Sequence, residues 1–443
     1  MRETFATRLG LLASMIGVAV GLGNVWRFPY MLGKYGGAAF LAVYVLGALV
    51  VGVPALMAEW SLGRATRRGP VGAFAAAGLP GGRWIGWFFF LVVTAATAYY
   101  VNVIGWVAWH GIAQVGSLMG FGMAGSWILP PETGLDGRSM ALQLGATGLV
   151  LAGCALVLLR GIRSGIERAS RVFTPLLFAG LALLMLRGLT LPGAGDGLRW
   201  LFAFEPERVT ATVAMAGLSQ VVFSLALGGT FMVVYGSYMA SDEPLAGNAV
   251  ATVAGDTLAG LMAGLAIFPA VFALGLEPGS GPGLLFATLP RVFDGVPGGG
   301  MVGAVFFGAL GGAAFLSAVA ALEVLVAGMV DNVGMTRKRA VGLVSIGVLL
   351  AALPPMLNMR VFVPWDLTFG SGTQTLGALL AAVTFGWALS RSRALDQLAP
   401  AGTEGAAGLR FLYYWIRFAI PGAVLGVGAW WALSELLGVV TLS

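Results

Sequence analysis

Residues 17–29 read GVAVGLGNVWRFP, an apolar run that three glycines interrupt and that ends in an arginine, a phenylalanine and a proline. The run lies inside the first hydrophobic stretch, which begins near Leu9. In a lipid bilayer, the N–H and C=O groups that a break in a helix releases must find partners in the protein or in a cavity. We therefore expect the first membrane helix to be broken here, with its released groups facing a ligand or cations.

The composition is typical of an integral membrane protein. The 443 residues are 58% hydrophobic and 10% charged, against roughly 25% charged residues in soluble domains, and the mean hydropathy is +0.90. Apolar windows that can cross about 30 Å of hydrocarbon recur along the chain, which leaves no room for a sizeable soluble domain. The predicted spans are residues 8–32, 38–62, 85–113, 140–159, 166–187, 209–239, 246–274, 301–331, 339–357, 368–390 and 410–439.

Basic residues cluster on one side of this arrangement. Arg2 and Arg8 precede the first span, and further clusters join spans 2 and 3, 4 and 5, 8 and 9, and 10 and 11. Because connections rich in Lys and Arg stay in the cytoplasm, we expect a multi-pass protein of the cell inner membrane or plasma membrane with a cytoplasmic N-terminus. The net charge of +6 then follows from topology and needs no nucleic-acid partner.

The sixth span contains a second interruption. Residues 219–230 read SQVVFSLALGGT and again place paired glycines and small polar residues at mid-depth. Two interrupted helices at corresponding places in two halves are the pattern of transporters built from inverted repeats, with a binding site at the midplane. Close helix packing is the alternative explanation for isolated glycines. We expect one transporter domain over residues 1–443, with repeats at about 8–187 and 209–390 and an extra helix at about 410–439.

Five segments carry a resemblance to a known family. They are GVAVGLGNVWRFPY, the pair Tyr99-Tyr100, RGIRSGIERASRVFTP, SQVVFSLALGG and AGLAIFPAVFALG. Together they resemble the neurotransmitter:sodium symporters, and specifically the bacterial amino-acid transporters of that family, over about residues 2–390. The resemblance implies an all-α integral membrane fold of about 11 transmembrane helices, in a 5+5 inverted repeat with helices 1 and 6 broken.

The resemblance implies that an amino acid binds at the two breaks. The positions that match the family's backbone and hydroxyl contacts are Ala19, Leu22, Gly23, Tyr100, Phe223 and Ser224. The N–H groups of Leu22 and Gly23 and the Tyr100 hydroxyl would bind the substrate carboxylate, since a helix N-terminus carries a positive partial charge. Released carbonyls would bind its ammonium group. Ala226 stands where many relatives place a serine near that group.

The resemblance also identifies a pocket for the substrate side chain. The matching positions are Val18, Ala96, Phe223, Gly229, Ser317 and Ala321. Three of them, Ala96, Gly229 and Ala321, are small, so volume is left for a bulky ligand. Burial of apolar surface there contributes about 25 cal/mol per Å², which predicts hydrophobic or aromatic L-amino acids. The alternative is that neighbouring side chains fill the volume and leave a pocket for small substrates.

One or two sodium ions are implied as well. The residues that match the family's first sodium site are Ala19, Asn24, Ser224 and Asp256, and the substrate carboxylate would complete it. Asp256 stands where an asparagine is common, and an acidic residue inside a membrane helix is functional by default. Gly260 replaces the serine of chloride-dependent relatives and the glutamate of some independent ones. Asp256 is therefore interpreted either as a substitute for chloride or as a protonatable group.

A second sodium site would differ from the family pattern. The residues that match it are Gly17, Val20, Ala313 and Ser317. The family has a threonine directly before that serine, whereas this chain has Leu316, so one of about five oxygen ligands is missing. Either water takes its place, or the second site is weak or lost.

Charged residues match the gates of the family. The matching residues are Arg27 and Asp366 for the external gate, with Phe223 as its lid, and Arg2 and Asp331 for the cytoplasmic gate, with Phe5, Tyr235 and Tyr238 around it. An ordinary interfacial charge, which contributes at most about 1 kcal/mol, is the alternative for each. Glu59 is expected to hold the unwound part of helix 6 through backbone N–H groups. Gly165 and Pro175 have the spacing at which the family unwinds helix 5, and a static proline kink is the alternative.

These features predict a sodium-coupled amino-acid symporter that works by alternating access. The sequence contains no buried nucleophile with a base, no metal cluster and no Walker-type phosphate loop, so an enzyme is not expected. The expected partners are an amino acid, sodium and membrane lipid, and no oligomeric state is specified. Three alternatives remain: a non-transporting amino-acid sensor with the same pocket, a proton-coupled transporter, and an ion channel lined by the broken helices.

Overall fold

A computed structural model describes residues 3–121, 123–273, 275, 293, 298–399 and 407–433. All regular structure in these residues is helical. The helices that correspond to the predicted spans are α1a (Arg8–Ala19) and α1b (Gly23–Lys34), α2 (Ala38–Thr66), α3 (Gly82–Leu118), α4 (Gly137–Leu159), α5 (Ile162–Leu189), α6a (Ala211–Ser224) and α6b (Phe231–Gly236), α7 (Leu245–Ala273), α8 (Gly299–Val333), α9 (Arg337–Ala351), α10 (Met359–Ala388) and α11 (Ala407–Trp431).

The predicted all-α membrane fold is confirmed. Seven of these helices are individually long and apolar enough to cross a membrane, and α1a with α1b forms a further, bent span. Within the described residues, every predicted span falls on a helix or a broken helix, with ends that differ by several residues. The last predicted span runs to 439, beyond the residues that the structure describes.

The first helix breaks where the glycine-rich run predicted. Val20, at the end of α1a, has extended backbone angles of φ −84° and ψ 111°, and the two halves meet at 52°. The N–H of Gly21 donates to the Asn24 side chain at 3.1 Å, and the N–H of Leu22 donates to the Tyr100 hydroxyl at 3.4 Å. In a continuous helix, these two N–H groups would donate to the carbonyls of Gly17 and Val18, four residues earlier. The two carbonyls therefore lack their helical partners.

The break in the sixth helix is a left-handed segment. Ala226, Gly228 and Thr230 have φ values of 51°, 85° and 59°, a region that costs non-glycine residues roughly 1–2 kcal/mol each. The N–H of Gly228 donates to the Glu59 carboxylate on α2 at 2.7 Å, as the sequence predicted for Glu59. A Cβ on Gly228 would lie 1.7 Å from the backbone oxygen of Gln374 on α10. Neighbouring helices therefore hold this break open.

The helices around the breaks form the centre of the bundle. In the most apolar window of α8, 78% of the residues are buried, and in that of α3, 67% are buried. The corresponding value is 33% for α4, α5 and α11, which lie at the periphery and present apolar surface to lipid. The two broken helices, α3, α8 and α10 together surround the cavity described next.

Candidate functional site

A cavity of about 80 Å³ lies between the two breaks. We call it the central cavity. Its lining residues are Val18, Ala19, Gly21, Gly23, Ala96, Thr97, Tyr99, Tyr100, Phe223, Ala226, Phe231, Ser317, Ala321 and Gln374. Nine of them are residues that the sequence assigned to a substrate site. The predicted positions on four separate segments of the chain are thus brought together around one space.

Three predicted substrate residues do not line this space. Leu22 reaches it through its N–H, which donates to Tyr100. Ser224 points to the opposite side and donates to Asp256. At Gly229 the structure differs from the expectation of free volume, since a Cβ there would lie 2.0 Å from a ring atom of Phe231. The Phe231 side chain, at the start of α6b, occupies the space that Gly229 leaves.

Five lining residues were not assigned to the site by the sequence argument: Gly21, Thr97, Tyr99, Phe231 and Gln374. Gln374 had a signal that could have found it, because it carries the single amide side chain of the predicted span 368–390 and polar residues inside membrane helices tend to be functional. Phe231 had none. Its ring folds back beside Gly229, and that direction depends on the backbone of the break.

Hydroxyl groups cover the break in α1. The Tyr100 hydroxyl is hydrogen-bonded to both the Leu22 N–H and the Ser317 side chain. A Cβ on Gly21 would lie 2.7 Å from the Ser317 oxygen and 2.8 Å from the Tyr100 oxygen. Glycine at position 21 is therefore what allows the two hydroxyls to approach the open backbone.

A carboxylate lies behind the same break. Asp256 on α7 is fully buried, with an exposed fraction of 0%. It accepts hydrogen bonds from Asn24 at 2.7 Å, from Tyr44 at 2.8 Å and from Ser224 at 2.8 Å. We call these four residues the Asp256 cluster. The sequence predicted three of its members and missed Tyr44, which α2 contributes.

The donors of the Asp256 cluster are all neutral. Among the described residues, no Lys or Arg forms an ion pair with Asp256. A buried charge without a counter-charge costs several kcal/mol, of the order given for ions in protein interiors. Carboxylate, amide and hydroxyl oxygens are the ligands that hard cations prefer. The oxygen atoms of Asp256, Ser224 and Asn24, together with the predicted carbonyl of Ala19, therefore fit as ligands of a sodium ion.

Apolar packing surrounds the next turn of α7. A Cβ on Gly260 would lie 3.3 Å from the ring of Phe28, and that ring packs edge-on against Tyr44 at a centroid distance of 4.9 Å. An aromatic ring thus occupies the region next to Gly260, where other members of the family carry a polar or acidic side chain according to the resemblance. Asp256 is the local source of negative charge.

The second predicted sodium position contains an apolar group. The Ser317 hydroxyl lies 3.5 Å from the Gly17 carbonyl and 3.3 Å from that of Val18. A Cβ on Gly17 would lie 2.8 Å from a methyl group of Leu316. Val20 and Ala313, the other predicted ligands, are buried nearby on α1 and α8. The side chain of Leu316 thus faces Gly17 where the family pattern has a hydroxyl.

A second cavity of about 280 Å³, which we call the vestibule, adjoins the central cavity. Both are lined by Gly23, Tyr99, Tyr100 and Phe223, so these residues separate the two spaces. Arg27 and Asp366, the predicted gate residues, line the vestibule.

The gate charges do not touch each other directly. The guanidinium of Arg27 lies 4.2 Å from the centre of the Phe223 ring and donates to Ser219 at 3.4 Å, whereas Asp366 is hydrogen-bonded to the Tyr99 hydroxyl. No ion pair joins Arg27 and Asp366 in the described part of the chain. Phe223 thus lies under Arg27, between the vestibule and the central cavity.

The side of the bundle opposite the vestibule, where residues 3–7 lie, is closed by packed aromatic side chains. We call it the amino-terminal side. The Phe5 ring packs against Tyr235 and Tyr238 at centroid distances of 6.1 and 6.5 Å. The Tyr238 hydroxyl donates to Glu323 at 2.6 Å, and Glu323 forms an ion pair with Arg337 at 2.6 Å. This ion pair was not predicted.

The predicted gate on the amino-terminal side is described in part. Arg2 lies outside the described residues. The Asp331 carboxylate accepts a hydrogen bond from the Gly69 N–H at 2.7 Å, in the connection after α2. Tyr235 and Tyr238, which the sequence associated with this gate, are both buried.

The start of α5 binds the N-terminal segment. Glu167 accepts hydrogen bonds from the Ala6 N–H at 2.8 Å and the Thr7 hydroxyl at 3.0 Å, and Glu3 accepts one from the Ile162 N–H at 3.0 Å. The segment between Gly165 and Pro175 is helical in this conformation. The predicted unwinding of helix 5 is therefore not seen here, where the amino-terminal side is closed.

Two helices broken around one central cavity define a class of protein, the secondary transporters built from inverted repeats. The sequence model of the sodium:neurotransmitter symporter family matches residues 2–126 and 139–427. The chain belongs to this family, as the resemblance of its motifs predicted. Members of the family are transporters and not enzymes.

Similar proteins are found in bacteria and animals. An uncharacterized sodium-dependent transporter of Bacillus subtilis, YhdH, is 31% identical over 441 residues, which cover 95% of this chain and 96% of that protein. The sodium-dependent dopamine transporter of Bos taurus is 26% identical over 87% of this chain and 63% of its own length. Among solved structures, MhsT in complex with L-phenylalanine has a TM-score of 0.82 at 33% identity, covering 96% of this chain and 99% of that chain.

Proposed function

We propose that this protein is a sodium-coupled symporter of hydrophobic or aromatic L-amino acids that works by alternating access. The observation that carries the proposal is the position of the Asp256 cluster. Its member Asn24 accepts the N–H of Gly21, and Gly21 lines the central cavity beneath Tyr100 and Ser317. A cation at Asp256 and a ligand in the cavity would therefore act on the same broken segment of α1.

The backbone of the two breaks suits a zwitterion. The Leu22 N–H and the Tyr100 hydroxyl can bind a carboxylate, while carbonyls without helical partners can bind an ammonium group and sodium. A substrate carboxylate that also contacts the cation would make each ligand favour the binding of the other, which is the thermodynamic basis of coupling. The L-phenylalanine complex of MhsT supports an amino acid as the substrate class.

The size of the central cavity bears on the substrate side chain. At about 80 Å³, it is smaller than an engineered cavity of roughly 150 Å³ that binds benzene. An aromatic side chain therefore requires movement of a lining residue, and we infer that Phe231 is that residue. Its ring fills the space beside Gly229, and a change of its side-chain rotamer would open that space. If Phe231 stays in place, the pocket accepts small amino acids instead.

We also propose how the protein lies in its membrane. Basic connections on the amino-terminal side favour the cytoplasm for that side, so the vestibule would open to the exterior of a cell membrane. The gate of Phe5, Tyr235 and Tyr238 would then be the closed cytoplasmic one. The chain would form one transporter domain, with repeats at about 8–187 and 209–390 and an extra helix at about 410–439. One sodium ion would bind at Asp256, and a second, weaker one near Ser317.

Uptake by proteoliposomes tests the proposal. Purified protein is reconstituted, and accumulation of labelled phenylalanine, tryptophan, leucine and glycine is measured with an inward sodium gradient and with choline in place of sodium. We expect sodium-dependent accumulation of the bulky amino acids, and little accumulation in Asp256→Ala. The glycine value tests whether the pocket prefers small substrates.

The alternative functions give different results in the same system. A sensor binds an amino acid in detergent but gives no accumulation. A proton-coupled transporter responds to a pH gradient in choline, and the response is lost when a protonophore is added. A channel passes sodium current without any amino acid. Any of these outcomes would contradict sodium-coupled symport.

A further inference from the structure

Most polar side chains of the central cavity already have hydrogen-bond partners. The Thr97 hydroxyl donates to the backbone oxygen of Val93 at 2.6 Å. Tyr99 is hydrogen-bonded to Asp366, and Tyr100 is hydrogen-bonded to Ser317. These groups are used to hold the helices around the cavity, so they have limited capacity to select among substrate side chains.

Gln374 on α10 is different. Gln374 lines the central cavity, and its carboxamide makes no hydrogen bond with another described residue. A carboxamide offers two donors and one acceptor oxygen, and a polar group left without a partner in an apolar space is unfavourable. The residues around it in the substrate pocket include Ala226, Phe231 and Ala321, whose side chains are apolar. Gln374 is half-buried and lines the cavity, so its carboxamide is available to hydrogen-bond a ligand there.

The backbone that carries Gln374 is firmly positioned. A Cβ on Gly228 would lie 1.7 Å from the Gln374 backbone oxygen, and a Cβ on Gly377 would lie 1.8 Å from the Gly228 oxygen. The backbone of α10 therefore packs directly against the break in α6, between Ala226 and Phe231. The side chain of Gln374 starts from this fixed contact beside the predicted pocket for the substrate side chain, whereas Tyr100 and Leu22 cover the α1 break.

We propose that Gln374 binds a polar group on the substrate side chain and selects aromatic amino acids that carry a hydrogen-bond donor on the ring. The phenol of tyrosine and the indole N–H of tryptophan have this chemistry, and phenylalanine lacks it. The inference rests on the proposed function, because it assumes an amino acid in the central cavity. A site that hydrogen-bonds a substrate group discriminates against the analogue without that group, since its own polar atoms are then left unpaired.

Binding measurements in sodium test this inference. Affinities for tyrosine and phenylalanine are measured with purified wild-type protein and with Gln374→Leu, which keeps similar volume and removes the amide. Gln114→Leu, on the distant end of α3, is the matched control. We expect wild-type protein to bind tyrosine about three- to tenfold more tightly than phenylalanine, the range of one neutral hydrogen bond. In Gln374→Leu the ratio should fall to about one, with phenylalanine affinity kept or improved.

The outcomes separate this inference from the proposed function. If the wild-type protein binds both amino acids but shows no preference for tyrosine, or if Gln374→Leu keeps that preference, the role of Gln374 is wrong and the transporter proposal stands. If the wild-type protein binds neither, the proposed substrate class is wrong, and the inference falls with it. Gln374→Met provides a second apolar variant if Gln374→Leu does not fold, as judged by size-exclusion chromatography.

Discussion

The hydroxyl of Tyr44 on α2 donates a hydrogen bond of 2.8 Å to the carboxylate of Asp256 on α7. This contact brings α2 to a site otherwise built from α1, α6 and α7, and Tyr44 is itself fully buried. The tyrosine supplies a dipole but no positive charge. The three neutral hydrogen-bond donors orient the carboxylate and leave its charge available to a cation. This arrangement predicts how sodium and chloride affect uptake.

Uptake should continue without chloride. A cation and a zwitterion in a low-dielectric site need a compensating negative charge, which Asp256 supplies, and the ring of Phe28 occupies the region beside Gly260. Replacement of chloride by gluconate should leave sodium-dependent uptake unchanged. Asp256→Asn should raise the sodium concentration for half-maximal uptake by about tenfold or more, or make uptake depend on chloride, because it removes a full charge.

Tyr44→Phe is the matched control for that experiment, since it removes one hydrogen bond and keeps the carboxylate. Its sodium response should change by less than that of Asp256→Asn, and it should stay independent of chloride. Loss of wild-type uptake in gluconate would show that Asp256 does not replace the anion.

Leu316 should weaken sodium binding at the second sodium site. A Cβ on Gly17 would lie 2.8 Å from a methyl group of Leu316 and 3.1 Å from the Thr174 hydroxyl, and the Ser317 hydroxyl lies 3.5 Å from the Gly17 carbonyl. Leu316→Thr adds an oxygen ligand and should lower the sodium concentration for half-maximal binding by roughly two- to tenfold. Leu316→Val has the shape of threonine without its oxygen and should not produce this effect. Equal sodium titrations for the two variants would mean that the hydroxyl does not reach the ion.

Glu59 should stabilise the break in α6 through its carboxylate oxygen. The Gly228 N–H donates to Glu59 at 2.7 Å inside the bundle, and a buried donor left without an acceptor costs about 1–3 kcal/mol. Glu59→Ala should therefore lower thermal stability and uptake. Glu59→Gln retains an acceptor oxygen, so its thermal stability and uptake should be much closer to those of the wild-type protein. Melting temperatures in detergent, measured with and without ligand, distinguish the pair, and identical values for Ala and Gln would contradict this role.

The sequence predicts the breaks well because lipid restricts the backbone so strongly. Glycine-rich interruptions in the first and sixth spans can be tolerated only where the released N–H and C=O groups find partners, and the structure has both breaks. Contacts between distant helices are less predictable. The rotation of a helix that is apolar on all sides cannot be deduced from its pattern, so Tyr44 and the Glu323–Arg337 ion pair were missed. The direction of Phe231 likewise depends on the left-handed backbone before it.

Substrate size should be set by two residues that line the central cavity, Ala321 on α8 and Phe231 on α6b. Both line the cavity, and its volume of about 80 Å³ leaves little room beside a large side chain. Ala321→Phe fills that space and should shift preference toward alanine and glycine. Phe231→Ala removes the ring beside Gly229 and should increase the affinity for tryptophan relative to leucine.

The expected changes follow from the apolar area involved. Each additional methylene that a pocket accommodates or rejects changes binding by about 1–3 kcal/mol, so the ratio of tryptophan to glycine affinity should move by tenfold or more in opposite directions for the two variants. Competition for bound labelled leucine measures both ratios, and Ala304→Phe, on the outer part of the same helix, controls for bulk added to α8 elsewhere. If Ala321→Phe keeps a preference for aromatic amino acids, the substrate side chain lies outside the space between these two residues. If Phe231→Ala leaves the ratio unchanged, the ring is not what limits the size of the ligand.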